Sequence, residues 1–138
     1  MSRLQPAVKV MAIVERPRDG ALLVTEDTDK RGRRYQRPPG GSVEYGERAI
    51  DAIRREFREE LGVELHDVES KGVLEHVFRL DDETRHEIVF VFRARLVDES
   101  DYESGETQVR DHPTVRVRWR SPTASDPPLY PAGIHEFI

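Results

Sequence analysis

Residues 41–63 read GSVEYGERAIDAIRREFREELGV, and the periodicity of this stretch decides how the rest of the chain is read. From Glu47 to Leu61 the composition predicts a helix, with Ala52, Arg54, Arg55 and Leu61 as good formers and Gly62 placed to cap its end. At about 100° per residue, Ile50, Ile53, Phe57 and Leu61 fall in one arc, the face expected to pack on a sheet. Glu56, Glu59 and Glu60 share a second arc with only Ala49 and Ala52, while Arg48, Asp51, Arg54, Arg55 and Arg58 take the remaining side.

Ordinary i,i+4 salt bridges on a solvated face would explain such glutamates one at a time, but not their separation from the arginines. Carboxylates about 5 Å apart repel by roughly 3 kcal/mol per pair at an effective dielectric of 20. Glu59 and Glu60 also sit in the last turn, where the helix dipole disfavours negative charge. Local stability is given up here, as happens where a side chain serves a ligand. A cation would remove the cost, and the small Ala49 and Ala52 are expected to leave room for one. Carboxylate donors in a chain without cysteine suit a hard ion, Mg²⁺ or Mn²⁺ rather than Zn²⁺. The five histidines, His66, His76, His86, His112 and His135, form no HxxxH pair and are read as surface or structural, and no Asp-rich loop has the spacing of a calcium-binding EF-hand.

Taken from Gly41, the order is Gly41, five residues, Glu47, seven residues, then Arg55, Glu56, Phe57, Arg58, Glu59, Glu60, Leu61, Gly62, Val63. This resembles the signature of the Nudix hydrolases, GX5EX7REUXEEXGU with U a bulky apolar residue, at every specified position. The resemblance covers 23 residues directly, with Pro39 and Gly40 similar to the family's wider pattern. It implies an α/β fold, an α/β/α sandwich on a mixed sheet, with the signature forming a loop, helix, loop that binds divalent metal. Carried over, Glu56, Glu59 and Glu60 look like metal ligands, with the carbonyl of Gly40 as a further donor. Arg55 would orient the carboxylates, and Glu47 would brace the loop or reach the metal through water. Water activated by the metal would attack phosphorus, with Glu56 or Glu59 as base. Many relatives use an additional acid from a later loop. Glu103, Glu106 and Asp111 are candidates here and Glu87 a weaker one, whereas Val117 and Arg118, just before Trp119, are not acidic.

The family typically cleaves nucleoside diphosphates linked to another group. A proline about fifteen residues past the signature, seen in many ADP-ribose enzymes, is replaced by Phe78. The tyrosine of dinucleoside polyphosphate hydrolases is replaced by Arg79, Leu80 or Asp81, so neither specificity is supported. Tyr35 or Phe78 could stack a base, and Arg33, Arg34 or Arg37 could hold phosphate in bidentate fashion. Two classes stay open: a hydrolase of such derivatives, nucleoside triphosphates included, and a nucleotide-binding regulatory module on the same fold. The resemblance also allows a homodimer.

Working outward, Val8 to Val14 is apolar on both pleat faces apart from Lys9, as expected of a central strand, and Ala21 to Thr25 reads as its hairpin partner. Asp27 to Arg37 reads as a basic loop, and Pro38, Pro39, Gly40 and Gly41 as a rigid turn without regular structure. Val73 to Leu80 and Arg85 to Leu96 read as strands across the turn Asp81, Asp82, Glu83. Val115, Val117 and Trp119 alternate with arginines in a further strand beyond the acidic loop from Asp98 to Asp111. The proline-rich end is expected to run irregularly before a short helical turn.

The 138 residues fit one domain spanning 1–138, with 36% hydrophobic residues to form its core. The longest apolar run, Ile88 to Phe92, is far short of the roughly 20 residues of a membrane span, and no apolar stretch follows Met1, so a soluble, cytoplasmic protein is expected. Without cysteine there are no disulfides and no thiolate chemistry. A net charge of −5 argues against a nucleic acid duplex as the main partner and leaves a small nucleotide-derived substrate. Only three of the 22 basic residues are lysine, so phosphate contacts fall to arginine.

Overall fold

The computed structural model describes residues 4–103, 107–110 and 112–138, with the side chains of residues 107 and 108 left aside. The strands are β1 (Ala7–Ile13), β2 (Leu22–Thr28), β3 (Arg34–Arg37), β4 (Gly40–Ser42), β5 (Leu65–Leu80), β6 (Glu83–Leu96), β7 (Thr107–Val109) and β8 (His112–Arg120). The helix α1 spans Ala49–Leu61, and 3₁₀ segments cover Glu99–Glu103 and Ala132–Phe137. One four-stranded sheet runs β4-β1-β6-β5 and a second runs β3-β2-β8-β7. The first is mixed, because β1 lies parallel to β6 and antiparallel to β4.

The two pleat faces of β1 define two cores. Val10, Ala12 and Val14 pack with Ala52, Ile53 and Phe57 of α1, whereas Met11 and Ile13 pack with Val89, Val91, Leu22, Val24 and Ile134 of the C-terminal 3₁₀ segment. The mixed sheet thus lies between α1 and that terminal segment, the layered α/β arrangement expected. Ile53 and Phe57 are almost wholly buried, each contributing about 1.5–3 kcal/mol of hydrophobic stabilisation.

Several local expectations are corrected. The stretches 8–14 and 21–25 do not pair along their length: they meet at the Glu15–Leu22 bridge and at the bond from Leu23 N to the Val14 carbonyl, 2.9 Å, then diverge into different sheets. A strand apolar on both faces takes neighbours on both edges, and β1 finds them in β6 and β4, far along the chain. Asp27 to Arg37 is not one loop: the basic loop is confined to residues 29–33, and the rest is the end of β2 and all of β3, paired from Thr25 with Arg37 to Thr28 with Arg34. Its polar residues line an edge. Gly40 and Gly41 lie within β4, and a Cβ at Gly40 would come 1.8 Å from the Val10 carbonyl oxygen, so glycine here permits close strand contact. The helix starts at Ala49, with Arg48 as its N-cap and Glu47 outside it. Gly62 does cap the helix, at φ 69°, donating to the Arg58 carbonyl at 3.1 Å. Ile50 is 39% exposed, while Ala52 is fully buried and Ala49 packs on the core, so these alanines let α1 approach the sheet and leave no room for a ligand.

The β5–β6 hairpin turns at Asp81 and Asp82, both at positive φ (54° and 65°), the type I′ geometry that short polar side chains tolerate. Among the described residues, no helix is long and apolar enough to cross a membrane.

Candidate active site

Arg55 organises the end of α1. Its Nε and Nη2 donate to both oxygens of Glu47 at 2.7 and 2.9 Å, and Nη2 also donates to the Ser42 carbonyl at 2.9 Å. Nη1 donates to Glu56 and to Glu59, each at 3.1 Å. Angular sorting on the helix is therefore not separation in space: the long guanidinium reaches across and ties the carboxylates to the loop before the helix. Glu47 also accepts the Glu44 amide at 3.1 Å. Arg55 and that amide hold the Glu47 carboxyl down at about 2, and the bonds to Glu47 and Glu56 raise Arg55 above its ordinary value. These contacts engage both carboxylate oxygens of Glu47.

Glu56 is 8% exposed. Burial raises its proton affinity, Arg55 partly opposes this, and the charges of Glu60 and Glu59 add to the rise. The carboxyl lies against β4 where Gly41 has no side chain: a Cβ there would come 2.2 Å from Glu56 Cδ. Glu60 faces His112, with Nε2 3.5 Å from Oε1, and the Glu59 side chain is 60% exposed beside Arg55. As positioned, the three acids do not converge on one point, and among the described residues no three His, Asp or Glu side chains form a ready metal cage.

A cleft of about 440 Å³ opens beside Glu56 and Glu60, bounded by Gly40, Gly41 and Ser42 of β4, by Lys9 and by His112. Tyr35 and Arg37 line this cleft and also a larger neighbouring cavity of about 640 Å³, so the two share a wall. The larger cavity takes in Arg33, Arg34 and Phe78 as well, so the aromatic and basic candidates named from the sequence gather in one place. Arg37 donates to the buried Glu87 at 3.3 Å, while its Nε is buried without a hydrogen-bond partner among the described residues. His76, stacked on Phe78 with ring centroids 4.2 Å apart, has an Nε2 equally unpartnered among the described residues, and burial lowers its pKa.

The acids proposed from the later loop fare differently. Glu103 pairs with Arg18 at 2.8 Å and lines neither cavity, whereas Glu106 and Asp111 lie outside the described residues. Glu87 is committed to Arg37. Sequence reasoning did not single out Lys9, His112, Arg85 or Tyr130. Lys9 was signalled as the one charge in an apolar strand, and it donates to Ser42 Oγ at 3.0 Å. The other three reach the cavities only through strand pairing and through the terminal segment, whose Tyr130 bonds back to Gln36.

A model of the NUDIX domain matches residues 5–137. No curated protein gives a significant match. Among solved structures, a MutT NUDIX hydrolase from Burkholderia pseudomallei is 27% identical with a TM-score of 0.64, over 94% of this chain and 93% of that one. The E. coli ORF135 protein is 26% identical with a TM-score of 0.57, over 96% and 86%. A NUDIX hydrolase from Nitrosomonas europaea, 24% identical with a TM-score of 0.60 over 85% and 73%, bears on the fold alone.

Proposed function

The chain belongs to the Nudix family and is a MutT-like hydrolase of pyrophosphate bonds in nucleotide-linked substrates; from that premise we propose that it works with Mg²⁺ or Mn²⁺ on a nucleoside diphosphate joined to another moiety, or on a nucleoside triphosphate. The observation that carries this reading is the buried Glu56 carboxyl, set in a notch that any side chain at residue 41 would fill, at the edge of a cleft continuous with an aromatic, arginine-rich cavity. An all-oxygen donor set fits a hard divalent ion. Glu56 and Glu60 would hold it, with Glu59 and the Gly40 carbonyl adding donors. A bound ion offsets the burial and mutual repulsion that raise the proton affinity of Glu56. When present it polarises the diphosphate and lowers the pKa of a coordinated water.

The remaining work falls to the chain's own groups. Arg55, fixed by Glu47 and the Ser42 carbonyl, sets the positions of Glu56 and Glu59. Glu59, the most exposed of the three acids, is suited to accept the proton of the attacking water and pass it to solvent. Lys9 and Arg37 offer cationic donors to phosphate oxygens in the cleft. Tyr35 and Phe78 offer flat faces to the nucleoside in the larger cavity.

The test incubates purified protein with Mg²⁺ and a panel of nucleotide derivatives, then scores the phosphate that a phosphatase releases from the products. Turnover that disappears with chelator and in Glu60→Gln supports the reading. Binding across the panel without products would favour a nucleotide-binding module on the same fold.

A further inference from the structure

Resting on the reading above, in which the bond that breaks lies over the α1 carboxylates, we infer that the larger cavity is a second anion site: the substrate carries a phosphate on the nucleoside held there, in addition to those flanking that bond. Five arginines, at 33, 34, 37, 79 and 85, line this cavity against three aspartates, at 29, 81 and 126, in a chain whose net charge is −5. Three of the arginines are already engaged. Arg33 is bound by Asp29 at 2.9 Å, Arg37 by Glu87 at 3.3 Å, and Arg79 by the Asp82 carbonyl at 2.8 Å and the Thr84 hydroxyl at 3.3 Å.

Arg34 and Arg85 differ. Arg34 approaches Glu26 only to 4.0 Å, and that buried carboxylate already accepts Gln36 Nε2 at 2.9 Å and faces Arg118 Nε at 3.0 Å. Arg85 approaches the exposed Glu83 only to 3.8 Å. Neither distance is a hydrogen bond. The two residues come from different sheets, Arg34 from β3 and Arg85 from β6, so the fold alone brings them to one concavity. Tyr35, Phe78 and Tyr130 line the same cavity, with Tyr35 and Tyr130 edge to face at 6.2 Å.

A base stacked on those rings leaves the two guanidinium groups for a group beyond it, and a phosphate matches their fork geometry. The smaller cleft sets three acids, Glu56, Glu60 and Asp27, against Lys9 and Arg37, so its charge balance disfavours phosphate unless a divalent ion is bound. The larger cavity has the opposite balance, so it binds phosphate without metal.

That difference gives the test. The full chain, in excess chelator, is titrated by calorimetry with adenosine and guanosine 5′-monophosphates and with the matching 3′,5′- and 2′,5′-bisphosphates. At least one bisphosphate binds about tenfold tighter than its monophosphate, and the advantage falls below about threefold in Arg34→Gln/Arg85→Gln. In Arg34→Lys/Arg85→Lys, which keeps the charge should the glutamine pair fold poorly, part of the advantage survives. Equal affinity for mono- and bisphosphates with both bases, an advantage unchanged in the double glutamine variant, or an advantage seen only with Mg²⁺ each overturns the inference. A bisphosphate preference in a protein that cleaves no anhydride would instead defeat the hydrolase reading and leave the anion site standing. Anhydride cleavage without the preference would do the reverse.

Discussion

Gly41→Ala isolates the proposed ion site from the fold. The backbone at Gly41 is a strand conformation that alanine adopts freely, so the substitution carries no φ penalty. Its Cβ, however, would stand 2.2 Å from Glu56 Cδ and 2.4 and 2.5 Å from its oxygens. Carbon atoms in contact settle at about 3.5–4.0 Å, so the carboxylate must retreat by about 1.3 Å or more, leaving the notch and lengthening its bond to Arg55. Misplacement of a reacting group by about 1 Å can cost about 10²-fold in rate. We expect turnover with Mg²⁺ to fall about a hundredfold while the thermal unfolding midpoint shifts by only a few degrees, because what gives way is the tip of one side chain. Gly40→Ala is the control: its Cβ meets the Val10 backbone, and it should cost about 1–3 kcal/mol of stability by thermal or denaturant unfolding. Near-normal turnover in Gly41→Ala, or a loss of fold equal to that of Gly40→Ala, would refute the reasoning.

Three further outcomes follow from the Arg55 cluster. Arg55→Lys cannot bind both oxygens of Glu47 and also reach Glu56 and Glu59, so kcat should drop about 10–100-fold in the coupled phosphate assay, with glutamine no better than lysine. Glu47 has a folded pKa of about 2 against an ordinary 4.5, so its contribution to stability is complete above pH 4.5 and is lost as pH falls towards 2. Unfolding midpoints measured across that window should be flatter in Glu47→Gln than in wild type. Glu56 is shifted the other way: its folded pKa lies above 4.5, so the stability linked to it is present below pH 4.5 and lost as pH rises through the folded value. Metal-free Glu56→Gln should therefore melt above wild type at pH 7 and close to it at pH 4, and should lose the stabilisation that Mg²⁺ gives wild type.

The parts of the fold carried by local signals were legible. The helix, its Gly62 cap and the β5–β6 strands rest on periodicity and turn chemistry within a few residues of one another. The pairing of β1 was not, because its neighbours β6 and β4 lie about 80 and 30 residues away, and nothing in an apolar stretch names a partner that distant. Glycine at positions 40 and 41 reads as a breaker from the sequence, although here it marks close approach, by a strand at Gly40 and by a carboxylate at Gly41. For the candidate site, the acids and Arg55 were visible in the signature, and Tyr35, Arg34, Arg37 and Phe78 do gather in one cavity. Burial of Glu56 was hidden by assigning the core face to Ile50 instead of Ala52, a rotation of the helix that only packing decides. Lys9, Arg85, His112 and Tyr130 come from four separate segments, and only tertiary structure unites them with the rest.

The most direct test of the ion site is a crystal structure grown with Mn²⁺, with anomalous scattering recorded at the manganese edge. A peak within coordination distance of Glu56 and Glu60, with Glu59 turned from Arg55 towards it, is the expected result. Density showing both Glu56 and Glu59 still on the Arg55 guanidinium, and no anomalous peak within coordination distance of any of the three acids, would contradict it.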